Sequence, residues 1–336
     1  MVQLLKVHGS QNKFFILDPT ALQTKLSQPE LVALAKHITE PESGLLDGAD
    51  GLLVVDDSDH PDTLGSMQVI NTDGSIASMC GNGLRTVSRY LSDKFGEDQF
   101  KVETMDSDLH VHREANLAPN VPTFSVEISP VTFAKETLPF DNLGTDTLIN
   151  QAVPAFAPGL KFTAISVPNP HLISFVDEET MHSKTLGRLG KMLNDPNPYF
   201  PDGVNVSFAQ ILDHNTLFVR TYERGVGFTN ACGTGMSATS LAFCLNHPEM
   251  ADFDELISVY NPGGMVKTRV HSREDTFSID LIGNATFTHT IEIPEADLHA
   301  NDLDHAQVTE TGEQPAYLKF VESLRNQLGS VWKLLK

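Results

Sequence analysis

Basic residues are scarce in this chain. Lys and Arg number 23 against 44 Asp and Glu, a formal net charge of −21. Such a field repels nucleic acid and anionic lipid, so neither is an expected partner. Cysteine is scarcer still: three in 336 residues cannot make a disulfide framework, and the odd number suits a reducing compartment. No run approaches the roughly 20 apolar residues that span a bilayer. The opening stretch MVQLLKVHGSQNKFF lacks the apolar core and cleavage site of a secretory signal. A cytoplasmic protein without a membrane partner is expected. HExxH, CxxC and Walker A patterns and a pyridoxal-phosphate lysine context are also missing, so the expectation is that no metal or other cofactor is used.

What is present is a globular composition, 40% hydrophobic and 20% charged, sufficient for one large domain or two ordinary ones. One short pattern occurs twice. Met79-Cys80-Gly81-Asn82-Gly83-Leu84-Arg85 is matched by Ala231-Cys232-Gly233-Thr234-Gly235-Met236-Ser237. Behind the first copy, Leu84, Val87 and Leu91 recur at the helical period. Strand-like runs flank each copy, at 2–7, 14–18, 51–55, 67–71, 100–104, 109–112 and 124–128, then at 162–167, 172–176, 217–222, 265–271, 276–282 and 286–293. Further helices are expected over 29–39 and 185–193.

The expected fold class is α+β, with two similar halves, each a mostly antiparallel sheet rolled around a central helix, and the active site in the cleft between them. The expected divisions are 1–130, carrying Cys80, and 131–283, carrying Cys232. A strand at 284–293 returns to the first half, and 294–336 forms an extension. Within that extension, 294–316 reads as an acidic linker. A terminal helix follows, with Leu324, Leu328, Val331 and Leu335 at helical spacing.

Cys244, between Phe243 and Leu245, reads as an inert buried hydrophobe. Cys80 and Cys232 differ, because each opens a helix and is followed by glycine. A helix start presents open amides and partial positive charge, which lowers a thiol's pKa and binds carboxylate. Two such starts around one carbon permit a thiolate to remove an α-proton on one face while a thiol returns one on the other. Three alternatives stay open on spacing alone: a structural disulfide, a redox-sensing pair, or one nucleophilic cysteine with a histidine partner.

Eight ordered motifs then resemble the diaminopimelate epimerases, pyridoxal-phosphate-independent amino-acid epimerases of lysine and cell-wall precursor synthesis. They are His8-Gly9 with Asn12 and Phe14; Asp50-Gly51-Leu52-Leu53; Asn71 to Ser75; Met79 to Gly83; Asn169-Pro170-His171; Phe200 to Asn205; Tyr222-Glu223-Arg224-Gly225; and Ala231 to Gly235. The resemblance implies acid/base roles for Cys80 and Cys232 and substrate binding by Asn12, Asn71, Gly81, Asn82, Asn169, Asn205, Glu223, Arg224, Gly233 and Thr234. It implies thiol tuning by His171 and Glu223, no cofactor, and a homodimer. A racemase acting on another amino acid is the alternative within the same chemistry. Without the resemblance, Asn71 and Asn205 read as turn residues. The chain departs from the pattern at Lys13, at Gly51, at Phe228 in place of a second-motif Glu, and in the extension after about residue 294.

Overall fold

The computed structural model describes residues 1–274 and 276–329. Val331 and Leu335 of the expected terminal helix lie outside the described residues. In chain order the elements are β1 (Val2–Gly9), β2 (Asn12–Leu17), α1 (Gln28–Ile38), β3 (Gly51–Asp56), β4 (Thr63–Asn71), β5 (Ile76–Ala77), α2 (Gly81–Phe95), β6 (Gln99–Glu103), β7 (Asp108–Glu114) and β8 (Thr123–Ile128). There follow β9 (Gln151–Ala152), β10 (Lys161–Ser166), β11 (Pro170–Phe175), α3 (Glu178–His182), α4 (Thr185–Asn194), β12 (Asn205–Asp213), β13 (Thr216–Glu223), β14 (Gly227–Phe228), α5 (Gly233–Asn246), β15 (Leu256–Asn261), β16 (Gly264–Arg273) and β17 (Thr276–Asn284). The chain continues through β18 (Thr286–Ile293), α6 (Glu295–Ala300), β19 (Gln307–Glu310) and α7 (Gln314–Leu328).

Two compact units result. One comprises Met1–Val126 with Ile282–Phe320; the other comprises Glu127–Leu281 with the chain from Val321 onward. In the first, β1–β2 is antiparallel, β2–β3 parallel, β3–β4 antiparallel, β4–β6 parallel and β6–β7 antiparallel. The second repeats that series through β10–β11, β11–β12, β12–β13, β13–β15 and β15–β16. In each, a two-residue strand, β5 or β14, pairs antiparallel with the fourth strand and precedes the cysteine-led helix. The internal repeat is therefore a repeat of pairing directions, which residue identity barely registers.

Each sheet curls around its helix. In the first unit α2 packs on β1, β2, β3, β4 and β7; in the second α5 packs on β10 to β13, β15 and β16. A central helix must bury every face, and α5 is buried continuously from Gly233 to Cys244. Its polar residues are small and return their hydroxyls to the helix: Ser237, Thr239 and Ser240 donate to the carbonyls of Gly233, Gly235 and Met236 at 3.0, 2.7 and 2.9 Å. That satisfies buried hydroxyls without outside partners while the sheet approaches closely. α2 does likewise with Thr86 and Ser88, then stops at Gly96, whose φ of 76° is the left-handed C-cap.

The segment 294–316 is not the loop its acidity suggested. Glu295 and Asp297 sit in the first turn of α6, where negative charge is favourable. β19 pairs antiparallel with β18, from His289↔Glu310 to Glu292↔Gln307. All four residues of β19 are exposed, so the strand rests on main-chain pairing and leaves no alternation to detect. β12 and β15 were likewise not among the expected strands. Among the described residues no helix is long and apolar enough to cross a membrane.

Candidate active site

In the first unit the candidate groups gather around a hairpin turn. β1 and β2 pair as far as Gly9↔Asn12, leaving Ser10 and Gln11 as a two-residue loop. Both have positive φ, 54° and 66°, the left-handed pair of a type I′ turn. Gly9 is obligatory, because a Cβ there would lie 2.7 Å from the Asn82 carbonyl oxygen and 2.8 Å from an Arg85 nitrogen. The turn delivers Asn12, whose amide nitrogen donates to Asp50 at 2.7 Å. Its amide oxygen accepts from Asn82 at 3.2 Å and stands 3.8 Å from the Cys80 sulfur.

Cys80 is the N-cap of α2, in extended conformation, and its sulfur accepts from the Gly83 amide at 3.4 Å. The first amides of α2, at Gly81 and Asn82, have no intrahelical acceptor. One turn further on, Arg85 is completely buried. It donates to the Asn82 side chain at 3.0 Å, the Asn284 carbonyl at 3.2 Å, Ser10 Oγ at 3.3 Å and the Gly81 carbonyl at 3.5 Å. These acceptors are neutral. Burial lowers the Arg85 pKa to about 10, still protonated at neutral pH, and the guanidinium and the Cys80 sulfur attract each other. Sequence reasoning quoted Arg85 within its motif but assigned it no role. The available signal was a basic residue one turn into a helix read as central.

Asn71 uses its side chain locally, donating to Ser75 Oγ at 2.9 Å, while its backbone closes the same turn. That is the turn role its composition suggested.

In the second unit Cys232 is the N-cap of α5 and is 6% exposed. Its sulfur lies 3.6 Å from Thr234 Oγ1 and accepts from the Gly235 amide. A Cβ at residue 235 would lie 3.1 Å from that sulfur. Glu223, ending β13, accepts a hydrogen bond from the Cys232 thiol and another from Thr229. The expectation that a helix start lowers this thiol's pKa is overturned. Burial and the Glu223 charge push Cys232 well above the ordinary thiol value, against the smaller pull of the Thr234 and Gly235 donors.

Around this centre, His171 on β11 is completely buried and its Nε2 pairs with Asn169 Oδ1 at 2.9 Å, while Nδ1 has no partner among the described residues. Burial, with the Arg224 charge, lowers its pKa to about 3, so it is neutral at working pH. Asn205, at the start of β12, donates to the Pro170 carbonyl at 3.1 Å and accepts from the Arg224 amide at 2.8 Å. Arg224 donates to the Asp202 carbonyl at 3.0 Å. Phe228 is 51% exposed, edge-on to Tyr222 at 5.4 Å and beneath Arg220 at 4.8 Å. None of the three cysteines forms a disulfide, and among the described residues no cluster could hold a metal ion.

The sequence matches the family model described as Diaminopimelate epimerase over residues 4–121 and 163–288. It is 54% identical to the diaminopimelate epimerase of Lactiplantibacillus plantarum over 96% of this chain and 98% of that protein. It is 51% identical to that of Enterococcus faecalis over 96% and 98%. Among solved structures, the Bacillus anthracis phenazine biosynthesis protein of the PhzF family superposes with a TM-score of 0.63 at 14% identity, over 87% of this chain and 99% of that one. A hydroxyproline epimerase from Agrobacterium vitis gives 0.58 at 13%, over 92% of each. At these identities the structures speak for the fold alone.

Proposed function

The chain belongs to the diaminopimelate epimerase family, and from that premise we infer that it interconverts LL-2,6-diaminopimelate and the meso form by inverting one α-carbon. This makes it an isomerase of lysine and peptidoglycan precursor synthesis acting on a small amino-acid substrate. The observation that carries the chemistry is the duplicated cysteine-led helix start, one in each unit. One sulfur removes the α-proton as a thiolate. The other, as a thiol, donates a proton to the opposite face of the carbanion, and the two sulfurs exchange protonation states.

The helix-start amides at Gly81, Asn82, Gly233 and Thr234 offer donors to the reacting carboxylate, whose negative charge grows as the α-carbon loses its proton. A buried thiol beside a carboxylate, as Cys232 is, favours the protonated form suited to giving a proton. Glu223 can accept from an ammonium group and Arg224 can grip a carboxylate, with Asn12, Asn169 and Asn205 completing the polar set. His171 and Glu223 tune the thiols. In this reading the reaction needs no cofactor, and the protein is a cytoplasmic homodimer.

The test is α-proton exchange on LL-diaminopimelate in heavy water under reductant, with wild type, Cys80→Ala and Cys232→Ala. Wild type is expected to exchange and invert, while either replacement lowers turnover by about 10³-fold or more. Exchange on another amino acid with none on diaminopimelate would overturn the substrate. No exchange on any amino acid would overturn the two-thiol mechanism.

A further inference from the structure

The family match ends at residue 288, yet the segment beyond it reaches back to the hairpin that carries Asn12. His8 sits at the end of β1 and is 2% exposed. Its Nε2 pairs with the side-chain oxygen of Gln314, the first residue of α7, at 2.7 Å. An amide oxygen only accepts, so Nε2 must carry the proton and Nδ1 must be bare. The bare Nδ1 then accepts from the Gln11 backbone amide at 3.2 Å and from the Asn284 side chain at 3.2 Å. Asn284 in turn accepts from the Ser10 amide at 2.8 Å.

Ser10 and Gln11, the two residues of this turn, both have positive φ. Neither is glycine, so their conformation is costly and persists only where surrounding bonds impose it. Both amides are held by groups that depend on His8 and Asn284. α7 is itself pinned at this spot. Arg89 grips Glu313 through two bonds of 2.6 and 2.7 Å, Glu313 also accepts from the Phe287 amide at 3.0 Å, and Tyr317 packs edge-on to the His8 ring at 4.6 Å.

We propose that Gln314 of α7 is a positioning residue for the candidate active site. It anchors the His8 ring through Nε2, the bare Nδ1 of that ring holds the strained Ser10–Gln11 turn, and the turn sets Asn12 against Cys80. The C-terminal extension is thus part of the site's support although it contributes no group to the substrate. This inference rests on the reading of Cys80 as a reacting thiol. The charged and titratable groups acting on His8 are Lys13, Arg85 and Glu313, with Tyr317 against its ring.

The experiment uses the full chain. Iodoacetamide alkylation of Cys80 and Cys232 is followed separately by peptide mapping without substrate, alongside kcat and KM on diaminopimelate. Gln314→Ala is expected to lower kcat about tenfold with KM changed less than about twofold, and to change the Cys80 alkylation rate while leaving Cys232 as it was. Adding Gln11→Gly, which frees the turn from its conformational penalty, is expected to restore kcat to within about threefold. Leu318→Ala, on the exposed side of α7, is expected to behave as wild type.

Gln314→Glu keeps an acceptor for Nε2 and so tests the idea even if the alanine variant does not fold. Its carboxylate favours a doubly protonated His8, whose Nδ1 can no longer accept from Gln11. An acid loss of kcat absent from wild type is therefore expected. The proposal is overturned if Gln314→Ala alters only thermal stability, or if the glutamate variant keeps the wild-type pH profile. A wild type inactive on diaminopimelate would refute the substrate alone, because the alkylation comparison needs no substrate.

Discussion

The two cysteine-led helix starts share a backbone and differ in electrostatics. Both cysteines are extended N-caps, at φ −144° and −106°, followed by glycine at the first and third helical positions. Behind Cys80 lies Arg85, a buried cation whose acceptors among the described residues are neutral, and beside the sulfur lies the neutral Asn12. Beside Cys232 lies the Glu223 carboxylate. One setting favours negative charge on sulfur and the other opposes it. A repeated sequence motif has thus been given unlike partners, which is what a reaction needing one proton acceptor and one proton donor at the same moment requires.

The sharpest way to break that contrast is to remove the charge beside Cys232. Glu223→Gln is expected to move the pH midpoint of Cys232 alkylation down by about one unit or more, leave the Cys80 midpoint in place, and cut kcat by about 10²-fold. An unmoved Cys232 midpoint would mean that burial alone holds the proton. On the other side, Arg85→Met is expected to raise the Cys80 midpoint by about one unit and to lower kcat about tenfold, with Arg85→Lys between it and wild type. Equal shifts at both cysteines would show a general loosening instead of a local field.

The smallest effect concerns stability, where the two units behave alike. Each holds a buried histidine whose pKa lies below its unfolded value of about 6.5: His8 at about 4 and His171 at about 3, both chiefly through burial. Between folded and unfolded pKa values the unfolded chain binds more protons, so their stabilising contribution is complete above about pH 6.5 and is lost as pH falls toward 4 and 3. Urea titrations between pH 7 and 4 should lose on the order of 3 kcal/mol for each group. His8→Asn and His171→Asn should each flatten that dependence, and a variant as acid-sensitive as wild type would remove its histidine from the account.

Much of this was legible in the linear chain. The glycine after each cysteine marked a helix start, and the period of Leu84, Val87 and Leu91 marked the helix. Asn71 followed its turn chemistry closely enough that its side chain stays within the turn. Other features had no local signal. β19 is exposed throughout and exists because β18 offers it main-chain partners. Arg85 looks like any helical arginine until its complete burial and its neutral acceptors are known.

The sequence by itself determined the cysteine pair, the helix that each one caps and the family, because these depend on local backbone preference and on ordered motifs. Only the tertiary structure decided what stands beside each sulfur. Glu223 reaches Cys232 from the end of β13, and Asn12 reaches Cys80 across 68 positions of sequence. A helix start alone would lower the pKa of both thiols. At Cys232 burial and a neighbouring carboxylate outweigh the helix-start donors, and both come from packing.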